Sequence, residues 1–301
     1  MVGHIYRSIL AIMLGASLIG CAHETAIGKE SMSQHSNAAV SEGRIPPSSS
    51  DEADWMATRA AIAIVHKDWQ TNSSATNGQF MRGYNIGSVL IDWPNGKAWW
   101  ARNNVGCFNN GTQHGEVRAM QQYTFAMNQY YLDKATIYTT LEPCAMCAGM
   151  MSMEKVGRTI YAQHDPSFGD ALQRLALDST SLPKGYAPYP RVTKPIPSAL
   201  GFYTAINDEY AKFCSPKPFA ECNIVQFLAT QPAQTLYENE TKIFLNYKPV
   251  YPENASLQTA LLKLYNEAPV SNGQCRDPAP IPNPPGKEMG GLKEINPVRI
   301  Q

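Results

Sequence analysis

The chain has 301 residues, of which 44% are hydrophobic, 10% aromatic and 17% charged, and its 25 Lys and Arg balance 25 Asp and Glu. That is enough apolar material for one large domain or two small ones, and it excludes wholesale disorder, a collagen-like repeat and a polytopic membrane protein. Zero formal charge also argues against a strongly basic nucleic-acid binder.

The first twenty residues carry His4 and Arg7, then an uncharged, mostly apolar run from Ser8 to Gly20. Thirteen residues of helix reach about 20 Å, short of a hydrocarbon core of about 30 Å. A positive start and a short apolar stretch are the pattern of a signal peptide. Its end, Leu18-Ile19-Gly20-Cys21, resembles the lipobox of bacterial lipoproteins, which implies a lipidated Cys21 after removal of residues 1–20. By the same resemblance, Ala22 after the cysteine favours an outer-membrane anchor. The protein is thus expected in the bacterial cell envelope, facing the periplasm or exterior. Arg7 is the only Lys, Arg, Asp or Glu in residues 1–20, so the processed chain carries a net charge of −1. Residues 21–50 are small, polar and unpatterned and read as a flexible tether.

From residue 51 the texture changes. Ser50 supplies an N-cap and Asp51 and Glu52 first-turn acids, with apolar residues following at helical spacing, so 51–69 is predicted as a helix. Residues 84–92 alternate like a strand, 94–97 (Pro-Asn-Gly-Lys) are turn chemistry, and 98–102 begin a returning strand. A helix over 115–130, a strand over 135–140, a helix over 144–155 and a strand over 158–162 follow, which is a compact α/β layer. All five tryptophans, at 55, 69, 93, 99 and 100, fall in this block, so the densest core is expected there. Seventeen of the 22 prolines lie in 171–301, which breaks that extension into short elements. Helices are predicted at 198–213, 232–246 and 255–267, and the last stretch reads as extended chain or a disordered tail.

Three short stretches carry chemistry: His114-Gly115-Glu116, Glu142-Pro143-Cys144 and Ala145-Met146-Cys147. Thiolate and imidazole are ligands that zinc favours. Cys144 and Cys147 are three apart at a helix start, so both sulfurs face one way, and the helix N-terminus favours thiolate. His114 and Glu116 cannot share one face from mid-helix, since i and i+2 lie about 200° apart, but they can at a helix mouth. Three protein ligands leave one position of a tetrahedral zinc for water, the arrangement of a catalytic site. Glu116, which is not a ligand, is then placed to move protons. A lone C-x-x-C also suits a thioredoxin-like pair or a structural zinc site; the upstream H-x-E sets this one apart.

H-x-E with P-C-x-x-C is the signature of zinc deaminases. The resemblance extends to Trp55-Met56 with Arg59-Ala60, to the run from Tyr138 to Gly149, and to Tyr161 with Asp165. Over residues 51–170 the chain resembles the cytidine deaminase superfamily, nearest to the branch of tRNA-adenosine, guanine and cytosine deaminases. The resemblance implies a three-layer α/β/α domain with a mixed sheet, Zn2+ held by His114, Cys144 and Cys147, and Glu116 as proton shuttle. It also implies Asn103 as a base contact, although a shift of one residue would give that place to Asn104. One departure stands out: Gly115 replaces the usual Ala or Val, and glycine loosens a helix start by roughly 1 kcal/mol.

Four cysteines remain, Cys107, Cys214, Cys222 and Cys275, with three possible pairings; Cys214 to Cys222 closes a Pro-rich loop and is favoured, which would leave Cys107 for Cys275. The expected activity is zinc-dependent hydrolysis of C–NH2 to C=O plus ammonia on a purine or pyrimidine, free or as nucleoside. Charge and export argue against nucleic acid as a partner, and a homodimer is implied by the resemblance. Two alternatives stand beside this: tRNA-adenosine-deaminase-like action on nucleic acid, and a catalytically silent, zinc-stabilised envelope binding or scaffold protein. Residues 171–301 carry no recognisable site.

Overall fold

A computed structural model describes residues 46–71, 81–189, 192–218, 221–272, 274–277 and 298–300. The leader, Cys21 and the tether as far as residue 45 lie outside them, as does most of the final Pro-rich stretch. Among the described residues no helix is long and apolar enough to cross a membrane.

Helix α1 (Ser49–His66) begins two residues before the predicted start, because Ser48 rather than Ser50 is the N-cap: its Oγ accepts from the Asp51 N–H at 3.2 Å. Strands β1 (Gly87–Asp92) and β2 (Lys97–Arg102) form the predicted hairpin. The expected start of β1 at Tyr84 is too early. Asn85 exchanges hydrogen bonds with the Gln70 backbone and also donates to the Leu228 carbonyl, which holds 84–86 in an irregular path. A short helix α2 (Val105–Phe108) leads to α3 (Gly115–Met127), β3 (Ala135–Thr139), α4 (Ala145–Met153) and β4 (Arg158–Tyr161).

The extension adds α5 (Ala171–Leu175), strand β5 (Lys194–Pro197), α6 (Gly201–Cys214), α7 (Ile224–Phe227), α8 (Gln231–Asn246), a 3-10 turn at Pro252–Asn254, α9 (Ala255–Glu267) and the two-residue β6 (Val298–Arg299). The sheet runs β5-β4-β3-β1-β2-β6; β3, β4 and β5 are parallel and the other pairings antiparallel, a mixed sheet. β5 was not foreseen, since two of its four residues are proline. It is tolerated at the sheet edge, where a missing N–H costs no ladder bond.

One face of the sheet, with Leu90, Trp99, Ala101 and Ile137, packs on α3 and α4. The other, with Val89, Ile91, Trp100 and Tyr138, packs on α1, α8 and α9. Trp99 and Trp100 are thus core residues on opposite faces, as the strand period of two requires. Helix α1 is buried almost all round, and its alanines at 53, 57, 60, 61 and 63 let neighbours approach closely. Two buried carboxylates fasten it to the extension. Glu52 accepts from the Tyr247 hydroxyl, the Val250 and Tyr251 N–H groups and Asn254 Nδ2, and Glu240 on α8 accepts from Arg59 Nε at 2.8 Å. Residues on both sides of position 170 therefore build the same cores, and the described residues belong to one compact unit. Cys107 is bonded to Cys275 and Cys214 to Cys222, with Cα separations of 5.5 and 5.1 Å.

Candidate active site

The site lies where the N-termini of α3 and α4 meet over the sheet. His114 is the N-cap of α3, with extended backbone (φ −76°, ψ 154°), and Cys144 is the N-cap of α4 (φ −69°, ψ 170°). His114 and Cys144 thus stand just outside their helices, and Glu116 and Cys147 sit in the first turns. The extended backbone at 114 brings His114 and Glu116 together despite their spacing of two.

His114 Nδ1 lies 3.8 Å from Cys144 Sγ and 3.6 Å from Cys147 Sγ, and the two sulfurs are 3.7 Å apart. A tetrahedral zinc with bonds of ~2.3 Å to sulfur and ~2.0 Å to nitrogen has S···S edges of about 3.8 Å and N···S edges of about 3.5 Å. The three atoms form one face of such a tetrahedron, so the donor set fits zinc in both chemistry and size.

The three donor groups are coupled in charge. The hydrogen bond from Cys147 pulls Cys144 down to about 4; burial opposes this and His114 reinforces it. Cys147, sharing that proton and fully buried, is raised. Burial disfavours a charged His114, but the Cys144 sulfur and Glu116 outweigh it and raise its pKa. Burial raises Glu116, with His114 offsetting part of the effect. A carboxyl shifted up from its ordinary range is better matched to proton transfer near neutral pH. Glu116 is 2% exposed; Thr139 Oγ1 donates to its Oε1 at 3.2 Å, and Oε2 has no hydrogen-bond partner among the described residues.

Asn103 is also fully buried. Its Oδ1 accepts from the Gly115 N–H at 2.7 Å, which ties it to the mouth of α3, and its Nδ2 has no partner among the described residues. Asn104 makes no such tie; its backbone N–H reaches the Gln113 carbonyl instead. Phe168 is 63% exposed.

Glu142 and His164, which carry no role among the expectations above, shape the neighbouring loop. Glu142 Oε2 lies 2.5 Å from His164 Nδ1 and accepts from the Asp165 N–H, while Oε1 accepts from the Asp170 N–H. A Cβ at Gly169 would stand 2.4 Å from Glu142 Oε2, so the loop closes this tightly only over glycine. Glu142 directly before Pro143-Cys144 was the available signal.

The family profile of the cytidine and deoxycytidylate deaminase zinc-binding region matches residues 54–163. The tRNA-specific adenosine deaminase of Rickettsia felis is 31% identical over 98 residues, covering 32% of this chain and 68% of the relative. That of Agrobacterium fabrum is 38% identical over 61 residues, covering 20% of this chain and 40% of the relative. The chain belongs to the cytidine deaminase superfamily. A solved guanine deaminase from Bacillus subtilis is 24% identical, covering 41% of this chain and 75% of its own, with a TM-score of 0.31.

Proposed function

We propose that the protein hydrolytically deaminates a nucleobase or nucleoside, using Zn2+ held by His114, Cys144 and Cys147. The observation that carries this reading is the tetrahedral face formed by those three atoms beside the buried Glu116. When bound, zinc supplies a Lewis-acidic centre that makes water nucleophilic near neutral pH. Glu116 takes a proton from the attacking water and passes it to the ring nitrogen; it then moves the adduct's hydroxyl proton to the amine, which leaves as ammonia. Asn103 Nδ2 donates to an acceptor on the base, its Oδ1 being held by Gly115.

A small substrate is favoured because Glu116 and Asn103 lie below the surface and the chain offers no excess positive charge to a phosphate backbone. The second reading is action on nucleic acid, supported by the tRNA-specific adenosine deaminases among the relatives. The two separate by ammonia release from guanine, adenine, cytosine and their nucleosides against release from tRNA and single-stranded oligonucleotides. Glu116→Gln should keep one zinc per chain and lower kcat by a factor of about 100 or more. Undiminished turnover in that variant would refute the role of Glu116. No turnover by the wild type on any of these substrates would favour a silent, zinc-stabilised envelope protein.

The lipobox-like run that ends at Cys21 supports a lipid-anchored protein of the cell envelope, at the outer membrane, once residues 1–20 are removed. Cys21→Ser should release the protein from the membrane fraction; retention would remove the anchor. A homodimer accords with the resemblance, and light scattering of the anchor-free protein measures it.

A further inference from the structure

We propose that the segment carrying Pro269, Ser271, Cys275 and Asp277 is a strap that positions Asn103, with Arg82, Arg102 and Asp277 as positioning residues. This rests on the reading of Asn103 as the base contact. It gives part of the extension a role in binding substrate.

Arg102 and Asn103 are neighbours whose side chains reach opposite faces of the sheet. Arg102 points to the α1 side, where its Nη1 donates to the Ile64 carbonyl, whereas Asn103 reaches α3 through the Gly115 N–H. The α1 side is where the strap lies. Arg102 donates from Nε to Asp277 Oδ2 at 3.0 Å, from Nη2 to the Pro269 carbonyl at 2.7 Å, and from Nη2 to Asp277 Oδ1. Both side chains of this pair are fully buried.

A second route runs through Asp68. Its Oδ1 accepts from the Ser271 N–H and hydroxyl, each at 2.8 Å, and its Oδ2 accepts from Arg82 Nε at 3.0 Å. Arg102 Nη1 stands 3.5 Å from that same Oδ2. Arg82 Nη1 in turn donates to the backbone carbonyl of Asn103. The strap is then stapled a third time, by the bond from Cys275 to Cys107 in α2. Asn103 is thus held through the residue before it, at its own carbonyl, and through a disulfide four residues after it.

This is more apparatus than a loop end needs, and its geometry bears on one donor. Asn103 Oδ1 is committed to Gly115, so the amide turns its Nδ2 in a direction set by the backbone at 102–103. Guanidinium groups forked onto carboxylates fix orientation as well as distance. Shifting this backbone misaims Nδ2 without touching His114, Cys144, Cys147 or Glu116.

The test uses the full chain, purified in detergent, as the wild type, Asp277→Asn, and the double variant Cys107→Ser with Cys275→Ser. Zinc content, kcat and KM on the best of the bases and nucleosides above, and amide hydrogen exchange over 100–116 are measured. The expected result is one zinc per chain, kcat within about twofold, KM raised about tenfold, and faster exchange at the Gly115 N–H. A lowered melting temperature with unchanged KM and unchanged exchange at Gly115 would overturn the proposal, leaving the strap a structural staple. If Asp277→Asn does not fold, the double cysteine variant carries the same readouts. If the wild type turns over none of the substrates, the functional reading fails separately, and exchange at Gly115 decides the strap.

Discussion

Gly115 lies so close to Gly87 that a Cβ at position 115 would stand 2.9 Å from the Gly87 Cα and 3.0 Å from the Ala101 carbonyl oxygen. Both obstacles are backbone, which cannot swing aside. The glycine between His114 and Glu116 therefore lets the mouth of α3 settle onto the β1–β2 hairpin. Gly115→Ala should push that mouth outward and lengthen the 2.7 Å bond from Gly115 to Asn103. The expected cost is about tenfold in kcat/KM with zinc retained, read by steady-state kinetics alongside metal analysis. Wild-type kinetics in that variant would show that the hairpin yields.

Metal and fold should be linked. A ligand that binds only the folded state stabilises it in proportion to the logarithm of its concentration over Kd. Chelation should lower the melting temperature and equimolar Zn2+ restore it, while Cys147→Ser should fail to hold one zinc per chain. A Cys147→Ser protein with full zinc content would exclude Cys147 as a ligand.

The ion pair from Arg59 to Glu240 joins α1 to α8 out of water, with side-chain exposures of 9% and 2%. Glu240→Ala strands a buried guanidinium, and the expected loss is ~3–5 kcal/mol in urea unfolding. Glu238→Ala, which removes the exposed partner of Lys242 two residues away, should leave stability unchanged. Equal effects from the two would mean that α8 is loosely attached.

Burial pushes Glu154, just beyond α4, up to about 7 from the ordinary 4.5, and its Oε2 has no partner among the described residues. The folded protein keeps this proton over a range in which the unfolded chain releases it. Stability from this group therefore falls as pH rises from about 4.5 to about 7. Glu154→Gln should flatten that part of the melting-temperature profile, and an unaltered slope would assign it to other groups.

What could be read in the sequence was local. The hairpin, the two helices of the metal cluster, and the three long helices of the extension were all marked by periodicity, turn residues or caps. The contacts that finish the site are not periodic. Arg102 finds Asp277 175 residues downstream, and Asp68 finds Ser271 203 residues downstream. Nothing near any of these four residues hints at a partner. Nor does anything near His164 hint at Glu142, which it meets across a loop that closes so tightly only over Gly169. Gly115 appeared as a weakness in a helix start, because the backbone it accommodates belongs to a different strand.

The prolines of β5 have a consequence for assembly. The Ser198 N–H donates to the Tyr161 carbonyl, so by alternation the N–H groups of Lys194 and Ile196 face β4, and positions 195 and 197 face away. Those outward positions are Pro195 and Pro197, which have no hydrogen to offer. A strand arriving from another molecule would meet acceptors without donors and could not zip into register. The sheet is closed to growth on this flank, so copies that meet across it must do so through side chains rather than a shared strand, and a peptide built to add a strand here should not bind.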